Sequence, residues 1–224
     1  MLKKSLPNVF TILNLFLGIV AIILVYTESH SLAAIMVIVA MLMDGLDGRV
    51  ARALNAQSEF GKELDSLSDV ISFGVAPAFI MYVVAFSELN PPTAWITTAL
   101  FPICGAMRLA RFNVVEAPPG YFVGLPIPAA GGLLCTLALF HQELPTYILV
   151  GGSILLSLLM VSSIKYPSFK KVKVPQGMLW LVGLTVASAI FVSIRYPGTW
   201  SKLVFVPLVL YALYGTLQSL RKKR

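Results

Sequence analysis

All four aspartates of this 224-residue chain fall in one stretch: Asp44, Asp47, Asp65 and Asp69. The stretch is flanked by segments apolar enough to cross a membrane. A carboxylate near hydrocarbon is costly and persists only when paired, hydrated or bound to a cation. Ligation by carboxylates alone favours hard cations such as Mg²⁺ or Mn²⁺ over zinc. Two such metals sharing carboxylates suit displacement at phosphorus, because they neutralise phosphate oxygens and the leaving group. The same four groups could also serve as a proton relay or a cation path, or be structural charge.

Spacing favours a shared site. Asp44 and Asp47 are three apart, and Asp65 and Asp69 four apart, so each pair occupies one face of a helix. The first face continues through Gly48, Ala51 and Arg52. Small residues there leave room for something flat against the backbone, and Arg52 adds a positive fork suited to phosphate. On the partner helix Gly61, Asp65 and Asp69 form a stripe of period four. A cation path gains nothing from a fixed positive charge beside it, so Arg52 and the glycines argue against transport.

The elements that must position these groups are membrane helices. Hydrophobic residues make up 58% of the chain and charged residues 12%, about half the charged share of a soluble domain. Apolar runs broken by turn and charge signals predict eight spans, near 8–26, 31–53, 63–86, 91–112, 125–142, 145–163, 176–194 and 199–219. The expected fold is an all-α polytopic helical bundle, with residues 1–224 forming a single domain. Pro126 and Pro128 predict a sharp entry into the fifth helix. Cys104 and Cys135 read as small buried residues, and His30 and His141 as loop residues.

Between these spans, 15 of the 17 basic residues fall on one side. The positive-inside rule then predicts that both termini and the aspartate stretch face the cytoplasm. The net charge of +7 is mostly topological, with an added attraction for anionic membrane lipids and no call for nucleic acid. Asp44 would lie roughly 20 Å along its helix from the outer end, near the cytoplasmic edge of the hydrocarbon.

From Asp44 to Asp69 the chain reads D-x-x-D-G-x-x-A-R, eight residues, then G-x-x-x-D-x-x-x-D. This resembles the signature of the CDP-alcohol phosphatidyltransferase family at each of its eight specified positions. The resemblance implies a six-helix core, here with about two extra helices, and two divalent cations at the cytoplasmic membrane boundary. It also implies a homodimer in the cytoplasmic membrane. LPNVFTILN at 6–14, ELDSLSDVISFGVAPA at 63–78, RLARFNV at 108–114 and YFVGLPIPAAG at 121–131 resemble one branch of the family. That branch transfers the phosphatidyl group of CDP-diacylglycerol to L-serine. A sister branch would use glycerol 3-phosphate or inositol phosphate as acceptor.

By that resemblance Asp44, Asp47, Asp65 and Asp69 hold the Mg²⁺ or Mn²⁺ ions, with Asp44 and Asp65 bridging. Asp69 is also the candidate base for the serine hydroxyl. Gly48, Ala51 and Gly61 would accommodate the cytidine, and Arg52 would contact the diphosphate. Asn8, Thr11 and Asn14 recur at three-residue intervals on the first helix. They suit either hydrogen bonding between helices or, for Asn8 and Thr11 at the cytoplasmic start, nucleotide contact. A serine acceptor needs an anion receptor, for which Arg108, Arg111 and Asn113 are candidates. Arg108 and Arg111 also suit positive-inside anchoring. Ser66, Ser68 and Ser72 either line the acceptor pocket or satisfy helix carbonyls.

Overall fold

The computed structural model describes residues 2–115 and 121–167. Six helices run through them: α1 (Leu2–Tyr26), α2 (His30–Ala53), α3 (Glu59–Phe86), α4 (Pro91–Val114), α5 (Ile127–Leu139) and α6 (Thr146–Val161). Each of the first six predicted spans is therefore a helix. The two predicted at 176–194 and 199–219 lie outside the described residues. α1, from Leu6 onward, α2 and α3 are long and apolar enough to cross a membrane, and the protein is membrane-embedded.

Local chemistry sets the helix starts. Ser58 caps α3 by accepting from the Gly61 amide at 3.0 Å, which starts the helix four residues before the predicted span. Asn90 caps α4 in the same way through Thr93, and Pro91 opens the helix where a missing N–H costs nothing. At α5, Pro126 stands just outside and Pro128 within the first turn, as the sequence predicts.

The buried residues of α1 fall at Pro7, Thr11, Asn14, Gly18, Ala21 and Val25, alternating steps of four and three along one face. Val9, Ile12, Phe16 and Ile23 on the other face are more than half exposed, as suits a lipid-facing surface. The buried face of α1 packs on α2 and on the first half of α3. Gly18 makes the second contact possible, since a Cβ there would lie 2.5 Å from Ser72 Oγ.

α3 departs from regular geometry directly after Asp69. Residues Val70–Val75 form a π segment, and a second spans Tyr82–Phe86. Pro77 lacks the amide that an α pattern would direct to the Phe73 carbonyl. That carbonyl is also closely approached by Gly131 of α5, where a Cβ would stand 2.5 Å from its oxygen. Around this widened stretch α4, α5 and α6 close the core, with Phe73, Phe101, Ile127, Leu134, Leu149 and Met160 almost fully buried. Cys104 and Cys135 are free and buried there.

The sequence pattern did not suggest the short antiparallel pair β1 (Tyr121–Val123) and β2 (Lys165–Pro167), registered Phe122 against Tyr166. It ties the entry of α5 to the exit of α6. Gly124 follows β1 with φ +79°, and a Cβ there would collide with the Met160 carbonyl, so only glycine fits.

Candidate active site

α2 presents Asp44 and Asp47, and α3 presents Asp65 and Asp69. One carboxylate oxygen from each of Asp44, Asp47 and Asp65 lies within 4.8 Å of the other two. Asp44 also meets the side chains of Asp65 and Asp69, which brings in the fourth carboxylate. Asp47 and Asp69 are buried, Asp44 and Asp65 partly so. The helical spacing thus produces the convergence that the sequence predicts.

Four carboxylates this close repel one another unless positive charge sits among them. A divalent cation binds oxygen at about 2.0–2.6 Å, so ligands of one ion stand no more than roughly 5 Å apart. The oxygens of Asp44, Asp47 and Asp65 meet that limit, and as hard donors they suit Mg²⁺ or Mn²⁺. The cluster can hold a metal ion.

α1 contributes neutral donors. Thr11 Oγ1 donates to Asp47 Oδ2 at 2.8 Å, and Asn14 Nδ2 donates to Asp69 Oδ1 at 3.4 Å. Of the two roles the sequence leaves open for these polar residues, the structure displays hydrogen bonding between helices. Their three-residue recurrence was the signal available, but it could not say which carboxylate each would meet.

The face of α2 beyond Asp44 is bare. A Cβ at Gly45 would meet nothing within 4 Å, and one at Gly48 would meet only the Arg52 guanidinium, with Nη1 3.5 Å away. Ala51 is half-buried and Arg52 exposed, with the Arg52 charge acting on Asp47. Gly61 is different, because a Cβ there would stand 3.1 Å from both Asn8 Oδ1 and Ser58 Oγ. Its small size also serves the close approach of α1 and the helix cap.

The two arginines of α4 separate. Arg108 is buried at 5% exposure, its guanidinium carbon 5.9 Å from the centre of the Phe112 ring, and its charge acts on Asp69. Arg111 turns to the α6 exit, donating to the carbonyls of Val161 at 3.0 Å, Ser162 at 3.2 Å and Val123 at 3.3 Å. Asn113 donates to Ser66 Oγ at 2.9 Å, and that hydroxyl donates to the Lys62 carbonyl. Ser72 donates to the Asn14 carbonyl at 2.9 Å, so this hydroxyl joins α3 to α1. Ser68 is fully buried beside Asp69 in the chain.

A family model described as CDP-alcohol phosphatidyltransferase matches residues 4–164, a span that contains every residue of this site. The chain belongs to the CDP-alcohol phosphatidyltransferase family. It is 39% identical over 221 residues to a protein of Helicobacter pylori, covering 95% of this chain and 90% of that one. It is 38% identical over 218 residues to a protein of Methanocaldococcus jannaschii, covering 97% and 95%. A Bacillus subtilis protein is 42% identical over 168 residues, covering 74% and 92%. All three are named CDP-diacylglycerol–serine O-phosphatidyltransferase.

Proposed function

We propose that this CDP-alcohol phosphatidyltransferase moves the phosphatidyl group of CDP-diacylglycerol to the hydroxyl of L-serine, giving phosphatidylserine and CMP. The observation that carries the reading is the convergence of Asp44, Asp47 and Asp65, one oxygen of each within 4.8 Å of the others, in a chain similar over nearly its whole length to enzymes of that name. The serine oxygen attacks the phosphorus that bears diacylglycerol, the bond from that phosphorus to CMP breaks, and the serine proton passes to Asp69. Direct displacement is favoured because the motif offers no cysteine or histidine as a covalent nucleophile.

Asp44, Asp47, Asp65 and Asp69 would hold two divalent cations, Mg²⁺ or Mn²⁺. When bound, such ions draw charge from the diphosphate oxygens. The bare face at Gly48, with Ala51 and Gly61, takes the cytidine, and Asn8 and Thr11 border it from α1. Arg52 faces the diphosphate. Arg108 receives the serine carboxylate or a lipid phosphate, and Ser66, Ser68 and Asn113 complete the acceptor site. Arg111 and Ser72 serve that pocket indirectly through the carbonyls they bond. Residues 1–224 act as a single domain of eight spans in the cytoplasmic membrane, forming a homodimer with both termini and the site on the cytoplasmic side.

The test is CMP release from CDP-diacylglycerol by the purified protein across a panel of acceptors. Release should require both serine and a divalent cation. Turnover without serine, driven by glycerol 3-phosphate or inositol phosphate, would move the chain to a sister activity. Metal flux into proteoliposomes without CMP release would make it a transporter.

A further inference from the structure

Asn14 is fully buried, yet it lies on a helix that carries no aspartate. Ser72 of α3 sets its position through two contacts with α1. Ser72 Oγ donates to its main-chain carbonyl at 2.9 Å, and one turn later Gly18 packs directly on Ser72. Ser72 and Asp69 both reach Asn14, so both face α1. With its backbone held there, Asn14 reaches Asp69 Oδ1 with Nδ2 at 3.4 Å. The other end of the amide, Oδ1, is buried without a hydrogen-bond partner. Most buried polar side-chain atoms in folded proteins have a hydrogen-bond partner. Asn14 leaves that acceptor unmatched while its donor sits on a carboxylate of the site.

We infer that Asn14 is a positioning residue for Asp69. The inference rests on the proposed phosphatidyl transfer, in which Asp69 binds a cation and accepts the serine proton. These tasks require a carboxylate that does not rotate freely about its terminal torsion, which is broad for aspartate. A donor on one oxygen fixes the carboxylate plane. An ionised carboxylate can only accept, so the nitrogen end of the amide faces it. Thr11 does the same for Asp47 one turn earlier. α1 is thereby an orienting rail for one carboxylate of α2 and one of α3. Hydrogen-bond partners behind metal ligands act in this way in metal sites generally.

The experiment compares the full-length wild type with Asn14→Ala and Asn14→Leu in detergent micelles. Mn²⁺ binding is read by electron paramagnetic resonance without substrate, alongside kcat and the KM for each substrate. Both variants should bind Mn²⁺ more weakly and lose kcat by roughly 10–100-fold, with the KM for CDP-diacylglycerol unchanged. Wild-type Mn²⁺ affinity and kcat in Asn14→Ala would overturn the inference. So would a raised KM for CDP-diacylglycerol with unchanged Mn²⁺ affinity, which would make Asn14 a nucleotide contact. Should Asn14→Ala not fold, Asn14→Leu, which is close in shape and suits a membrane helix, decides by the same readings. A wild type that binds Mn²⁺ but does not use serine refutes the proposed reaction, while the Mn²⁺ comparison still decides the role of Asn14.

Discussion

Thr11 Oγ1 stands 2.8 Å from Asp47 Oδ2, joining the first helix to the second at the level of the carboxylate cluster. Both residues are buried, at 3% and 6% exposure. The bond holds one oxygen of Asp47 and leaves the rest of that carboxylate for a cation. Thr11→Val keeps the shape and removes the donor. It should lower kcat/KM by roughly 10–100-fold, while Thr11→Ser, which keeps the hydroxyl, should recover most of the loss. Steady-state kinetics at saturating and limiting Mn²⁺ separate the two, since added metal should partly restore Thr11→Val.

Asp44, Asp47, Asp65 and Asp69 should behave as one unit. Any one replaced by Asn should reduce CMP release to near background, and the double change Asp44→Asn with Asp65→Asn should cost little more than either alone. Removing divalent ions with a chelator should reproduce the loss, and Mg²⁺ or Mn²⁺ should reverse it. Additive losses in the double variant would show that the carboxylates act independently.

Arg108 and Arg111, three residues apart, should fail differently. Arg111 bonds three carbonyls at the α6 exit and the end of β1, so Arg111→Ala should destabilise the fold by about 2 kcal/mol. For a chain of this length that is a fall of roughly 4–8 °C in melting temperature. Arg111→Lys should not recover it, because one ammonium cannot reproduce the planar fork. Arg108→Ala should raise the KM for serine at least tenfold, or about 1.4 kcal/mol, while the KM for CDP-diacylglycerol stays within twofold. Equal effects on both KM values would remove Arg108 from the acceptor site.

Glycines at close contacts should be intolerant, and those facing open space tolerant. A Cβ at Gly18 would stand 2.7 Å from Ser72 Cα, and one at Gly131 would stand 3.0 Å from Phe73 Cα. Gly18→Ala and Gly131→Ala should each cost about 1–3 kcal/mol, read as melting temperature. Gly18→Ala should also lower activity, because it pushes α1 off the face that holds Asp69. Gly151→Ala, with nothing within 4 Å of the new carbon, should leave activity unchanged and should not lower the melting temperature.

The sequence by itself determined the membrane class, the first six helices and the pairing of each aspartate with its helical neighbour. Those follow from composition and from the period of one helix, which act over a few residues. Tertiary structure decided what crosses between helices: Thr11 to Asp47, Asn14 to Asp69, and Arg108 toward the cluster while Arg111 turns to the α6 exit. It also decided the β1–β2 pair, whose partners lie more than forty residues apart in the chain. The physical reason is rotation. A periodic pattern says which residues share a face, but the angle at which that face meets its neighbour is fixed by packing. Here the deciding contacts are the seating of Gly18 on Ser72 and of Gly131 on the Phe73 carbonyl, neither of which leaves a local signature.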